Sequence, residues 1–319
     1  LEGNDTILEA ALRAGVSLGY GCSSGNCGQC KARVVSGKVK YVRAHDYVFT
    51  EAEKAQNVTL MCSATAVSDV VVEATVALRP EDLPVQHINA KVKALNPLPG
   101  NRMVLELVTP RSNRLRFMAG QAVALNVAGL RHEAPIASCP CEERLLQFHL
   151  KYRPGNHFSE HVFHRLKAGD TVEVEGPRGR FVLDDDSPRS LVFIAWGEGF
   201  APIKGLIEHA LSLETAETLR LYWAALAPED IYLPNQCRMW ADALDGFHYT
   251  PLVMEGVHSV AGPQGEKRLR ALLESVRRDC PDSGAYDFYV AGPHAEVTAT
   301  VALLREWGVL EGQLHAGEV

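Results

Sequence analysis

The spacing of apolar positions changes twice along the chain. Over residues 6–14 they recur at helical intervals, with Asp5 placed as N-cap and Gly15 as the stop. A Gly/Ser-rich loop with cysteines follows at 19–30, then strand-like pieces at 31–35 and 70–76. The stretch Arg-Pro-Glu-Asp-Leu-Pro at 79–84 reads as a linker. From 87 to 185 the period drops to two, with alternating runs at 88–95, 103–109, 121–127, 145–151 and 171–175. Repeated short strands with Gly and Pro between them predict a small barrel. A helix interrupts it around 159–166, and the acidic turn 184–188 ends it. Beyond 190, apolar runs at 191–196, 218–224, 248–254 and 286–291 alternate with helical patterns at 201–213, 235–244, 266–278 and 295–307. Repeated β-α units predict a parallel sheet with helices on its faces. The predicted domains are therefore 1–80, 86–186 and 188–319.

The length of 319 residues suits two or three domains, and 46% apolar residues supply packed cores. With 22% charged residues the chain is not of disordered composition. A formal charge of −7 with only 32 Lys and Arg argues against a nucleic-acid binder and leaves a basic protein partner open. No apolar run approaches the ~20 residues of a membrane span. The chain starts at Leu1 rather than Met, which implies that something has been removed upstream. Four of the eight cysteines fall in one tight pattern, favouring a metal site in a reducing compartment, the cytoplasm.

That pattern is C-x4-C-x2-C at Cys22, Cys27 and Cys30, with Cys62 far downstream. It is the plant-type [2Fe–2S] spacing, since two sulfide-bridged irons need four thiolates. Gly21, Gly25 and Gly28 allow the loop to fold tightly and aim N–H groups at sulfur. A zinc site is the alternative, but such sites usually pair cysteines at both ends, and here the second half has one. The stretch 21–30 and the return at 60–62 resemble the plant-type ferredoxin family, which implies a β-grasp fold. That fold begins with a hairpin before the helix, so the resemblance implies that about one hairpin is missing upstream, by truncation or by divergence. Cys139, Cys141, Cys237 and Cys280 match no ligand set and read as buried or surface thiols.

The order ferredoxin, β-barrel, β-α sheet resembles the ferredoxin–NAD(P) reductase superfamily. Within it, the chain is most similar to bacterial reductases with an N-terminal ferredoxin, such as oxygenase reductase components and CDP-6-deoxyglucoseen reductases. The landmarks are Ala119-Gly120-Gln121, Ile136-Ala137-Ser138, Gly176-Pro177-Arg178-Gly179-Arg180-Phe181, Gly199-Phe200-Ala201-Pro202 and Ala291-Gly292-Pro293. The fold implied is a multidomain α+β and α/β chain. A β-grasp ferredoxin is followed by an antiparallel flavin-type barrel and a Rossmann-like nucleotide domain.

The resemblance implies FAD and NAD(P)H, yet the letters depart from the family pattern. Where the flavin motif has Arg, Tyr and Ser, this chain has His132, Ala134 and Pro135. Ala134 offers no stacking face, and Pro135 offers neither hydroxyl nor N–H. The residues left for FAD are Arg131, Ser138, Lys151 and Ser159. Gly197, Gly199 and Gly292 mark the nucleotide loop, where Trp196 and Glu198 replace Gly and Thr. An acidic side chain there repels a diphosphate, and Trp196 fills space that nicotinamide would use. His157, His161 and His164 share one helical face and read as a solvated or partner-facing stripe. Two functions follow. One is an electron-transfer reductase passing electrons from NAD(P)H through FAD and the cluster to a protein acceptor such as an oxygenase. The other is a ferredoxin-type carrier whose reductase modules have lost their cofactors.

Overall fold

A computed structural model describes residues 5–319 except 15, 17, 21, 77–78, 111–112, 143, 215 and 255–258. The expected helix stop Gly15 and loop residue Gly21 lie outside the described residues. The first unit holds α1 (Ile7–Arg13), β1 (Lys31–Ser36), β2 (Val39–Tyr41), α2 (Glu51–Ala55), β3 (Val58–Leu60), β4 (Ala64–Ala66) and β5 (Val71–Ala74). β1 lies between β3 and β5 and is antiparallel to both, while β2 pairs with β4. Helix α1 is capped by Thr6, one residue later than expected. The Thr6 hydroxyl accepts the Glu9 N–H, and the Glu9 carboxylate accepts the Thr6 N–H. The same reciprocal box, Thr50 with Glu53, starts α2. Such a box satisfies two donors that a helix start leaves unpaired, and it makes a five-residue helix tenable. Ile7 and Leu8 of α1 pack into a core with Leu60, Met61 and two of the cysteines.

The second unit contains β6 (Gln86–Leu98), β7 (Arg102–Val108), β8 (Ala122–Val127), β9 (Leu130–Pro135), β10 (Leu145–Lys151), α3 (His157–His164) and β11 (Thr171–Arg178). They form one antiparallel sheet in the order β10-β7-β6-β11-β8-β9. The sheet curls until its ends meet, where the Ala137 N–H donates to Gln147 O at 2.8 Å. Alternate side chains such as Ile88, Ala90, Leu105, Leu125, Phe148 and Val174 fill its interior, and Phe158 and Val162 of α3 close it. This is the barrel that the period-two pattern predicts.

The third unit alternates β12 (Ser190–Trp196), α4 (Phe200–Leu213), β13 (Leu219–Ala225), α5 (Pro234–Ala243), β14 (Phe247–Val253), α6 (Gly262–Asp279), β15 (Tyr286–Gly292), α7 (His294–Glu306) and β16 (Leu314–Glu318). The sheet is parallel throughout, in the order β14-β13-β12-β15-β16. Six consecutive residues of β12 are buried, as helices on both faces require. The order reverses between β12 and β15, and such a switch point opens a crevice at the strands' carboxyl ends. Buried cations tie this unit to the barrel. Lys204 of α4 donates to Ala137 O and Gln147 Oε1, both at 3.0 Å, and pairs with Glu208. Arg102 of β7 donates to Glu229 O at 3.1 Å and pairs with Asp230. No helix among the described residues is long and apolar enough to cross a membrane.

Candidate functional site: a sulfur loop and an interdomain cleft

Cys22, Cys27 and Cys30 of the C-x4-C-x2-C pattern converge with Cys62. No group of three or more His, Cys, Asp or Glu among the described residues surrounds a single ion. The sulfurs fall instead into two pairs. In one, the Cys22 N–H donates to Cys27 Sγ at 3.3 Å and the Cys27 N–H donates back to Cys22 Sγ at 3.4 Å. In the other, Cys30 Sγ and Cys62 Sγ lie 3.1 Å apart. Two pairs of thiols suit two irons and not one zinc. Further N–H groups, from Ser24 and Asn26, also point at Cys22 Sγ. Burial opposes ionisation of Cys22, but these donors outweigh it and pull its thiol down to about 6. The hydrogen bond from Cys30 brings Cys62 to about 6 as well, against its burial. The residues therefore fit a [2Fe–2S] cluster. Cys22, Cys30 and Cys62 are buried while Cys27 is exposed, so one edge of the site reaches the surface. Glycine is obligatory at two points: Gly25 and Gly28 have φ of +82° and +72°. A Cβ on the first would lie 2.5 Å from His45 Cβ, and one on the second would enter the Tyr47 ring.

A cleft of about 150 Å³ opens where β9, β10 and α3 face the turn after β12. It is lined by His132, Ala134, Pro135, His149, Lys151, Arg153, Ser159, Glu198 and the last residue, Val319, among others. Of the four residues assigned to FAD from the sequence, Lys151 and Ser159 line the cleft and Arg131 and Ser138 do not. Alternation along β9 turns Arg131 outward, where it pairs with Glu175 at 2.7 Å. Ser138 is buried beneath the barrel, donating to Leu145 O and accepting the Gln147 N–H, both at 3.2 Å. His132 stacks on Phe158 at 4.7 Å between centroids. Burial, and then Arg153, lower its pKa. The Ser159 hydroxyl is engaged with the Arg153 and Asn156 carbonyls at 3.0 Å, and Asn156 caps the helix start.

Glu198 reaches from the third unit to within 3.1 Å of Arg153 and 3.6 Å of Lys151. Its charge is met by these two cations. Sequence reasoning missed Arg153 and His149, although His149 shares a strand face with Lys151 by the two-residue period. His149 Nδ1 bonds the Tyr232 hydroxyl at 2.9 Å, while its Nε2 is buried without a partner. Burial, helped by Lys204, drops its pKa to about 3. An unpartnered buried ring nitrogen beside Lys151 and Arg153 fits a phosphate-bearing group with further polar atoms, such as FAD.

Gly197, Gly199 and Gly292 come together at the carboxyl ends of β12 and β15, where the strand order reverses. Gly197 has φ +50°. Gly199 packs directly on the Ala291 carbonyl, and Gly292 leaves room only for the Trp196 Cβ. Trp196 does not enter the cleft. It turns into the core and donates from Nε1 to Thr300 Oγ1 at 2.9 Å, which corrects the expectation that it blocks nicotinamide. His157, His161 and His164 line a separate surface cavity beside Tyr152 and Glu160. Cys237 and Cys280 are buried thiols, as read from the sequence, but Cys139 and Cys141 are joined in a disulfide across Pro140. The turn between them brings their Cα atoms to 5.1 Å, which spacing alone did not reveal.

Three family models match the chain in order. Residues 2–67 match a 2Fe-2S iron-sulfur cluster binding domain, 89–183 an oxidoreductase FAD-binding domain, and 193–301 an oxidoreductase NAD-binding domain. The chain is 30% identical to terephthalate 1,2-dioxygenase reductase component 1 of a Comamonas species, over 78% of this chain and 74% of that one. It is 29% identical to CDP-6-deoxy-L-threo-D-glycero-4-hexulose-3-dehydrase reductase of Yersinia pestis, over 93% and 88%. Among solved structures, the Amycolatopsis cytochrome P450 reductase GcoB superposes with a TM-score of 0.62 at 27% identity, covering 98% of this chain and 93% of that one. Two sulfur pairs, a curled antiparallel barrel and a parallel nucleotide sheet occur here in the order of the three family models. The chain belongs to the ferredoxin–NAD(P) reductase superfamily, in the branch whose members carry an N-terminal 2Fe-2S ferredoxin domain.

Proposed function

We propose that this protein is the reductase component of a multicomponent system, taking electrons from NAD(P)H and delivering them singly to a protein acceptor, an oxygenase. The observation that carries the reading is the two-paired set of four thiols, one at the surface, in the same chain as a cleft with a buried unpartnered imidazole. A flavin supplies the conversion of an electron pair into single electrons, and a [2Fe–2S] cluster supplies the one-electron carrier. The chain's own residues do the rest. Cys22, Cys27, Cys30 and Cys62 hold the cluster, and the surrounding N–H groups stabilise its negative charge. His149, Lys151, Arg153 and Ser159 are the residues of the cleft that would hold the flavin. The glycine turn at 197–199 and Gly292 receive the nicotinamide nucleotide at the strand switch point. We place the protein in the cytoplasm, where thiol ligands stay reduced.

One observation favours a second reading. Glu198 occupies both cations of the cleft, as it would in a ferredoxin-type carrier that no longer keeps its flavin. Anaerobic purification with iron, sulfide and flavin analysis separates the two. The reductase reading expects two irons and two sulfides per chain, with NAD(P)H-dependent cytochrome c reduction once FAD is added. Iron without FAD binding in equilibrium dialysis supports the carrier, and a chain that takes up zinc but no iron overturns both.

A further inference from the structure

The Cys139–Pro140–Cys141 disulfide lies in the loop between β9 and β10, outside the cluster and the cleft. It joins residues only two apart, so it removes little conformational freedom from the unfolded chain, and the barrel has a large apolar core without it. Its two sulfurs are unequal. Cys141 is exposed, whereas Cys139 is 1% exposed. The buried sulfur has its own polar surroundings. Cys139 Sγ accepts the Cys141 N–H at 3.1 Å, with His209 Nδ1 at 3.9 Å and the Ser212 hydroxyl at 4.0 Å. His209 Nε2 in turn lies 3.6 Å from Asp185 Oδ2. A backbone N–H, an imidazole and a hydroxyl are thus the groups beside Cys139 Sγ that can meet a thiolate there. The exposed sulfur opens on a cavity of about 340 Å³, lined also by Ser212, Arg114, Tyr20 and the cluster ligand Cys62.

We propose that Cys139 and Cys141 form a thiol–disulfide exchange site that reacts with low-molecular-weight or protein thiols entering this cavity. The external thiolate attacks Cys141 Sγ and forms a mixed disulfide. The Cys139–Cys141 bond breaks, and its electron pair leaves on Cys139 Sγ, which takes a proton from His209 or rests as a thiolate against the Cys141 N–H. A second thiol then attacks the mixed disulfide and frees Cys141. Two electrons and two protons pass from the thiol pair to the protein, and the thiols leave as their disulfide. The reverse sequence, with His209 taking the Cys139 proton, reoxidises the pair.

The test equilibrates the holoprotein anaerobically with reduced and oxidised glutathione at graded ratios, then alkylates and weighs the peptide carrying both cysteines. The proposal expects a two-electron transition of this pair while the visible spectrum of the cluster stays unchanged. In single variants, Cys139→Ser leaves an exposed thiol that takes one glutathione rapidly, and Cys141→Ser leaves a buried one that reacts roughly tenfold or more slowly. His209→Gln slows opening of the disulfide roughly tenfold without altering the iron content. A pair that stays oxidised, or stays reduced, at every ratio overturns the proposal. So do equal rates for the two single variants.

Discussion

At the scale of single residues, conformation and burial set the chemistry. Gly28 holds a left-handed backbone under the Tyr47 ring, so a methyl group there meets both dihedral strain and a clash. Gly28→Ala is expected to cost ~1–2 kcal/mol in backbone strain alone and to lower the iron bound per chain, as read by metal analysis of the purified variant. A Gly129→Ala control, at a φ of +76° with nothing near its Cβ, should keep full iron. His149 is a second case. Burial, with Lys204 nearby, holds its folded pKa at about 3, below the ordinary value near 6.5. As pH falls from 6.5 toward 3, the unfolded chain takes up a proton that the folded chain refuses. Stability present above pH 6.5 is therefore lost on acidification, by up to ~1.4 kcal/mol per pH unit from this one group. Urea unfolding between pH 7 and 5 should show that slope, and His149→Gln, which does not titrate, should flatten it.

At the scale of elements, legibility followed the strength of the repeating pattern. The β-α alternation after residue 190 and the period-two barrel were plain because long runs bury one face or both. Strands β2 and β4 have three residues each, too few to show a period. Strand β9 contains Pro135 and three charged or titratable residues, and β16 is a polar edge strand, so neither carries an apolar signature. Helix α2 was readable through its Thr-x-x-Glu box and was missed for want of an apolar face. The site divides the same way. The cluster cysteines were legible because their spacing is itself the chemistry. Arg131 and Ser138 fall outside the cleft because a motif count says neither which face of a strand a residue takes nor which way a loop residue turns. Helix α4 supplies the prediction at this scale. Lys204 is 4% exposed and satisfies Ala137 O, Gln147 Oε1 and Glu208 at once. Lys204→Met leaves those acceptors without their donor and should destabilise the chain by ~1–3 kcal/mol, seen as a lower urea midpoint. Lys204→Arg, which keeps a cation, should lose less.

At the scale of the whole molecule, Glu198 of the nucleotide unit clasps Lys151 and Arg153 of the barrel across the cleft, and Asp230 adds a second acidic partner for Lys151. An anionic ligand at that place competes with Glu198 for the same cations. Glu198→Gln keeps the size, removes the charge, and should tighten FAD roughly tenfold in equilibrium dialysis, the worth of about one charge-assisted hydrogen bond. An unchanged dissociation constant would mean that the two cations do not meet the phosphates. Helix α4 ties these observations together. The turn just before it carries Glu198 into the cleft, its second turn holds the barrel through Lys204, and its last two turns lay His209 and Ser212 on Cys139. A helix of 14 residues is a rod about 21 Å long, with little give along its axis. The sulfur pair and the cleft are thus two ends of one lever. Thermodynamic linkage makes any coupling between them reciprocal. By whatever factor opening the disulfide alters affinity for the cleft's ligand, that ligand alters the ratio of dithiol to disulfide by the same factor.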